Sequence, residues 1–149
     1  LLTQNKEKEH FTITDKKMTR FLTSLESAVK LVWNVFDDMK GGEIYVQKNP
    51  SVNILDIAKA INSNKKIKMI GIRPGEKIDE IMISKDDSRY TYSYNNYYKI
   101  LPSINNWYKD LSRIKSGKKV KLGFEYSSNT NSTWLNQGEI KKLIKKNFD

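Results

Sequence analysis

Between Thr23 and Ile72 the chain alternates helix, strand, helix and strand, and this order constrains the fold most. Thr23-Ser24-Leu25-Glu26 fits a capping box, with Thr23 as N-cap. Leu25, Ala28, Val29, Val32, Trp33 and Phe36 then fall on one helical face, and Gly41-Gly42 ends the helix. Glu43–Gln47 reads as a strand. Asn53 with Asp56 caps a second helix whose inner face is Ile54, Ile57, Ala58 and Ile61. Lys66–Ile72 is the next strand, read as buried. Such alternation predicts α/β packing, with the two strands parallel and the second helix as crossover.

The flanks are less regular. Phe11–Thr14 alternates as a short strand. Ile78, Ile81 and Met82 fit either a short helix or an edge strand, and Ser84–Asp87 starts a helical turn. Tyr90, Tyr92 and Tyr94 alternate ahead of Asn95-Asn96 and Tyr97–Leu101, which predicts a β-hairpin. The tyrosines suit a half-buried sheet face, or a surface on which a sugar stacks. Phe124–Ser127 reads as a short extended piece. Asn136 with Glu139 caps a last helix, with Ile140, Leu143, Ile144 and Phe148 on its apolar face.

At 149 residues the chain suits one domain with a real core. Its net charge of +10 comes mainly from dispersed lysines, with denser groups at Lys115–Lys121 and Lys141–Lys146. The arginines are Arg20, Arg73, Arg89 and Arg113. A nucleic-acid face tends to gather arginine and stacking aromatics on one element, so the charge reads as a solvated surface and no nucleic-acid partner is expected. There is no cysteine, which fits a reducing cytoplasm and leaves no disulfide framework. No apolar run approaches the ~20 residues of a membrane span, so no membrane partner is expected. The lone His10 has no second His or Cys with which to hold a metal. The first residues show neither a signal peptide nor an initiator Met, which reads as a piece of something longer.

The segment that points to chemistry is Gly71-Ile72-Arg73-Pro74-Gly75-Glu76-Lys77. Pro74 fixes its own φ, and Gly75 admits angles closed to other residues. The turn thus offers a guanidinium, which suits a phosphate, and a carboxylate, which suits a sugar hydroxyl. The same residues also fit a surface bend closed by an ion pair. Arg20 lies after a strand-turn and before a capped helix, where phosphates are favoured. Arg20 and Arg73 read either as a two-armed clamp on a diphosphate or as two separate surface arginines. No glycine-rich dinucleotide fingerprint, Walker loop, nucleophile elbow or Tyr-x-x-x-Lys pair occurs.

Several strings together resemble one family. They are Ile13-Thr14-Asp15-Lys16-Lys17-Met18-Thr19-Arg20-Phe21, Gly41-Gly42-Glu43-Ile44-Tyr45-Val46, Pro50-Ser51, Ile70–Lys77, Met82-Ile83-Ser84, and Phe124–Asn131 with Trp134-Leu135. These look like the C-terminal part of the inverting UDP-N-acetylglucosamine 4,6-dehydratases, of the extended short-chain dehydrogenase/reductase superfamily. That family makes the first intermediate of pseudaminic acid, a sugar of flagellin glycosylation and surface polysaccharides.

The resemblance implies an α/β fold: the substrate-binding portion of a Rossmann-type enzyme without most of the Rossmann sheet. Within it, residues 1–22 would be a strand-turn entry, 23–83 an α/β subdomain, and 84–149 the hairpin and C-terminal helix. A preceding domain, absent here, would bind NADP and carry the catalytic residues. Thr14-Asp15-Lys16 spells the family's catalytic triplet but lies in the wrong half, so no catalytic role is transferred to it. Substrate contacts are expected at Arg20, Arg73, Glu76, Phe11 and Ile13, and at Asn131. The acid would lie near the ribose or uracil, and the backbone of Phe11–Ile13 beside the uracil. Leu22 departs from relatives that often carry an aromatic residue there.

The implied reaction oxidises C4 of UDP-N-acetylglucosamine by hydride transfer to NADP⁺. Water then leaves across C5–C6, and hydride returns to C6 with inversion at C5. The intact enzyme would be a cytoplasmic NADP-dependent lyase and a homo-oligomer, and the fragment alone inactive. A UDP-sugar 4-epimerase of the same superfamily is the near alternative. A noncatalytic basic binding module is the distant one.

Overall fold

The structure, a computed structural model, describes residues 1–148 apart from the side chains of Asn105 and Phe148. Phe148, assigned to the apolar face of the last helix, therefore lies outside the described residues. In chain order the elements are α1 (Leu2–Glu7), β1 (His10–Ile13), β2 (Thr19–Phe21), α2 (Leu25–Asp38), β3 (Ile44–Gln47), β4 (Ser51–Asn53), α3 (Ile54–Ile61) and β5 (Lys66–Met69). Then follow β6 (Ile81–Ile83), β7 (Thr91–Ser93), β8 (Tyr97–Ile100), β9 (Lys118–Lys119), β10 (Tyr126–Ser127) and α4 (Gln137–Phe148). They form a mixed α/β fold of two compact units.

The first unit comprises Leu1–Ser24, Asn49–Glu80 and the segment from Ser128 onward. Its organising element is α3, which is apolar on more than one side. Ala58 packs with Phe11 and Ile13 of β1, joined by Ile54, Leu55, Ile61 and Ile67. Ala60 packs with Val52 and Ile140, joined by Ile57, Leu135 and Ile144. A helix buried on two sides needs small residues where neighbours approach, and both alanines are buried. The predicted caps at Asn53 and Asn136 form, whereas Thr23 lies two positions ahead of α2 and its hydroxyl donates to the Ser24 carbonyl at 3.5 Å. Asn53 Oδ1 accepts the Leu55 N–H at 2.8 Å. Asn136 Oδ1 accepts the Glu139 N–H at 3.0 Å while Glu139 Oε2 accepts the Asn136 N–H at 2.8 Å, a reciprocal capping box.

The second unit comprises Leu25–Lys48 and Ile81–Ser127. Its four-stranded antiparallel sheet has the order β3-β8-β7-β9, and β6 pairs with β10. The tyrosine hairpin forms as expected, with Thr91 opposite Ile100 and Ser93 opposite Tyr98. Within it, the Lys99 side chain of β8 is fully buried between the rings of Tyr45 and Tyr94 and bonded to Asp38.

Two expectations are corrected. The strand at Glu43–Gln47 does not pair with the strand at Lys66. β3 runs antiparallel to β8, with Ile44 opposite Ile100 and Gln47 opposite Tyr97, while β5 runs parallel to β1. The reason lies in side chains distant in sequence. Phe11 and Ile13 are buried against the Ala58 side of α3, which brings β1 beside β5, and Tyr45 finds Tyr97 as a ring partner at 5.6 Å. Second, β5 ends at Met69 and is largely exposed rather than buried. A buried strand needs layers on both faces, and among the described residues β5 has only β1 as a sheet neighbour.

The amphipathic pattern of α2 yields a helix, but none of its residues is buried. Leu25, Trp33 and Phe36 are 76%, 66% and 63% exposed.

Candidate functional site

The segment after β5 forms the turn its residues predict. Glu76 N–H donates to the Arg73 carbonyl at 3.0 Å, with Pro74 and Gly75 between them and Gly75 at φ +80°. This is the arrangement of a type II turn, which demands a left-handed residue at its third position. The anticipated ion pair between Arg73 and Glu76 does not form. Glu76 Oε2 instead accepts the backbone N–H of Arg73 at 3.3 Å, and Oε1 accepts the Thr14 hydroxyl at 3.1 Å. The Arg73 side chain extends exposed, with no ion pair among the described residues.

The turn forms one wall of a cleft of about 290 Å³ in the first unit. The opposite walls include Thr12, Ile13 and Thr14 at the end of β1, and Arg20 of β2. Arg20, Arg73, Glu76 and Ile13 are therefore brought together. The Arg20 guanidinium donates from Nη1 to the carbonyls of Thr19 and Ile78 at 2.6 and 2.9 Å, and from Nη2 to that of Lys77 at 2.9 Å. Two cations and one carboxylate share this cleft, a balance that suits an anionic ligand with hydroxyl groups.

Phe11 and Asn131 lie elsewhere. The Phe11 ring is fully buried in the core, with Lys65 Nζ 5.3 Å from its centroid. Asn131 Nδ2 donates to Asn49 O, Ser51 Oγ and Thr133 O at 2.8, 3.0 and 3.0 Å, which ties its own loop to β4. Asp15 serves its own turn, accepting the Lys17 N–H at 2.7 Å.

Sequence reasoning missed Thr14 as a partner of Glu76, and it missed Gln4. Gln4 bonds Thr12 twice, its amide oxygen taking the backbone N–H and its amide nitrogen giving to the hydroxyl, both at 2.9 Å. No local spacing announces either contact. Among the described residues no group of three or more His, Cys, Asp or Glu side chains is placed to hold a metal ion. No described helix is long and apolar enough to cross a membrane.

Comparison with known proteins places the chain. The model of the polysaccharide biosynthesis protein family matches residues 2–102. The chain belongs to this family. The polysaccharide biosynthesis proteins similar to it include an inverting UDP-N-acetylglucosamine 4,6-dehydratase of Campylobacter jejuni, 49% identical over 137 residues. That match covers 89% of this chain and 41% of the relative. A UDP-glucose 4-epimerase of Rickettsia canadensis is 36% identical over 147 residues, covering 96% of this chain and 43% of the relative. Among solved structures, Pen from Bacillus thuringiensis superposes with a TM-score of 0.78 at 27% identity, over 97% of this chain and 42% of that one. The chain thus spans about two fifths of the length of the curated relatives it matches. The resemblance to the dehydratases, stated from the motifs, agrees with these matches.

Proposed function

We propose that this family member is the UDP-sugar-binding portion of a longer enzyme, an inverting UDP-N-acetylglucosamine 4,6-dehydratase of surface-polysaccharide synthesis. The observation that carries this reading is the cleft in which Arg73 and Glu76 of one turn face Arg20 across a space of about 290 Å³. The 49% identity to a named dehydratase supports the substrate class.

The roles follow from the geometry. Arg73 is exposed and without an ion pair among the described residues, so its fork can take phosphate oxygens two at a time. Arg20 meets the same diphosphate from the other wall. Each Glu76 oxygen accepts one hydrogen bond from the protein and retains capacity for a ribose hydroxyl. The backbone of Thr12 and Ile13 lines the uracil side, Phe11 supports it from the core, and Asn131 holds the neighbouring loop. No described strand-to-helix turn carries the glycines a dinucleotide needs, which supports reading the NADP site as part of the remainder of the longer protein. When bound there, the cofactor would supply the hydride acceptor. This chain would contribute only the binding and orientation of the sugar nucleotide. The bare apolar face of α2 fits a chain whose other three fifths would pack against it.

The second reading, a UDP-sugar 4-epimerase, is favoured by the 36% identity over 96% of the chain. Incubating the intact enzyme with UDP-N-acetylglucosamine and weighing the product tests both. A dehydratase product is lighter by one water, and an epimerase product has the substrate's mass. A protein that binds no UDP-sugar, yet binds nucleic acid in a salt-dependent manner, would overturn both readings.

A further inference from the structure

Glu80 is not part of the cleft wall, yet the groups that shape that wall converge on it. Its Oε2 accepts the backbone N–H of Phe21 at 2.9 Å, and its Oε1 lies 3.6 Å from Nε of Arg20. Its own backbone is held at both polar groups. The Glu80 N–H donates to Ser128 Oγ at 2.9 Å, and the Glu80 carbonyl accepts the Ser128 N–H at 2.8 Å. Ser128 is fully buried, and its hydroxyl lies 2.6 Å from that of Thr19, which also donates to Asp79 at 2.7 Å. The carboxylate therefore projects from a fixed backbone and reaches back to β2.

An arginine carries five N–H groups in a rigid fork. In Arg20, Nη1 uses two on the carbonyls of Thr19 and Ile78, Nη2 uses one on that of Lys77, and Nε faces Glu80. One N–H of Nη2 remains without a protein partner among the described residues, on a guanidinium that lines the cleft. Neutral carbonyls orient the fork; among the described residues only Glu80 supplies the opposite charge that keeps it there. Arg73 differs, since its side chain is exposed and nothing among the described residues holds it.

We propose that Glu80 is a positioning residue for the anion end of the cleft: it presets Arg20 as a fixed donor, against which the unheld Arg73 closes on a diphosphate. The proposal rests on the reading of the cleft as a UDP-sugar site. A preset donor loses less freedom on binding than a free one, so affinity depends on a group that never touches the ligand. The opposite outcome is equally concrete. If Glu80 merely neutralised Arg20, removing its charge would strengthen anion binding.

The test titrates the intact enzyme with UDP and with uridine by calorimetry. Glu80→Gln keeps an oxygen for the Phe21 N–H and removes the charge. It is expected to weaken UDP binding on the order of tenfold and to leave uridine binding unchanged, with the loss read in KM rather than kcat. In an Arg20→Ala background the same substitution is expected to do nothing further. Arg20→Lys, which cannot span the carbonyls and Glu80 together, provides the same comparison should Glu80→Gln fold poorly. Equal or tighter UDP binding by Glu80→Gln, or a loss that persists without Arg20, overturns the proposal alone. A wild type with no preference for UDP over uridine overturns the reading of the cleft as well.

Discussion

The Thr14 hydroxyl donates to the Glu76 carboxylate at 3.1 Å, joining two residues 62 positions apart across the cleft. This bond holds the carboxylate that the proposed function assigns to a sugar hydroxyl. Thr14→Val keeps the shape of the side chain and removes the donor. UDP-sugar affinity of the intact enzyme should fall by about 0.5–1.5 kcal/mol, the net worth of one hydrogen bond. Calorimetry measures it, and the melting temperature should hardly move because the site is only half-buried. An unchanged affinity would free Glu76 from dependence on Thr14.

Arg73 and Gly75 separate binding from turn geometry. Arg73→Ala removes an exposed guanidinium, so it should weaken UDP-sugar binding by ~1.5–3 kcal/mol without lowering stability. Gly75→Ala meets open space, since nothing lies within 4 Å of the added carbon, but it must adopt φ +80°. Its cost is strain alone, about 1 kcal/mol. It should therefore lower stability slightly, in contrast to Arg73→Ala. Chemical denaturation and titration of both variants distinguish the two effects.

In the second unit, Asp38 gives a pH dependence with a defined sign. Burial alone would raise its carboxyl, but hydrogen bonds from Lys115, Lys99 and Tyr45 outweigh it and hold it down to about 2. A depressed folded value stabilises the protein above the unfolded value of 3.8, and that contribution is lost as pH falls through about 2. Discounted for solvent screening, the span corresponds to about 1–2 kcal/mol. Asp38→Ala should cost more, about 3–5 kcal/mol, because it strands the fully buried ammonium of Lys99. Denaturant titrations of wild type and variant between pH 7 and pH 2 check both. A variant with the acid sensitivity of the wild type would place that sensitivity in other groups.

What was legible in the sequence was local. The caps at Asn53 and at Asn136 with Glu139, the Pro74-Gly75 turn and the tyrosine hairpin each depend on residues a few positions apart, whose chemistry admits few conformations. Partner choice was not legible. β3 and β5 are both credible parallel strands by composition, and only the burial of Phe11 and the pairing of Tyr45 with Tyr97 assign them elsewhere. The site divides the same way. Arg73 and Glu76 stand out because a rigid turn displays them, whereas the roles of Thr14 and Glu80 rest on contacts about 60 residues distant. Asn131, expected as a contact only through the resemblance, ties its loop to β4.

The face of α2 supplies the last prediction. Leu25, Val32, Trp33 and Phe36 all stay more than half exposed, while the comparable face of α3 is covered by β1 and α4 within the chain. An apolar stripe of this kind binds hydrophobic dyes and promotes self-association. The 149-residue chain on its own should enhance the fluorescence of such a dye, and Trp33 should emit as a solvent-exposed indole. Replacing both Trp33 and Phe36 by Glu should abolish most of the dye signal with little loss of stability, because neither ring is buried. In the intact enzyme the dye signal should be absent and the same double substitution should be strongly destabilising, since the face would then be covered. Equal dye binding by the isolated chain and the intact enzyme would show that the rest of the protein leaves α2 bare.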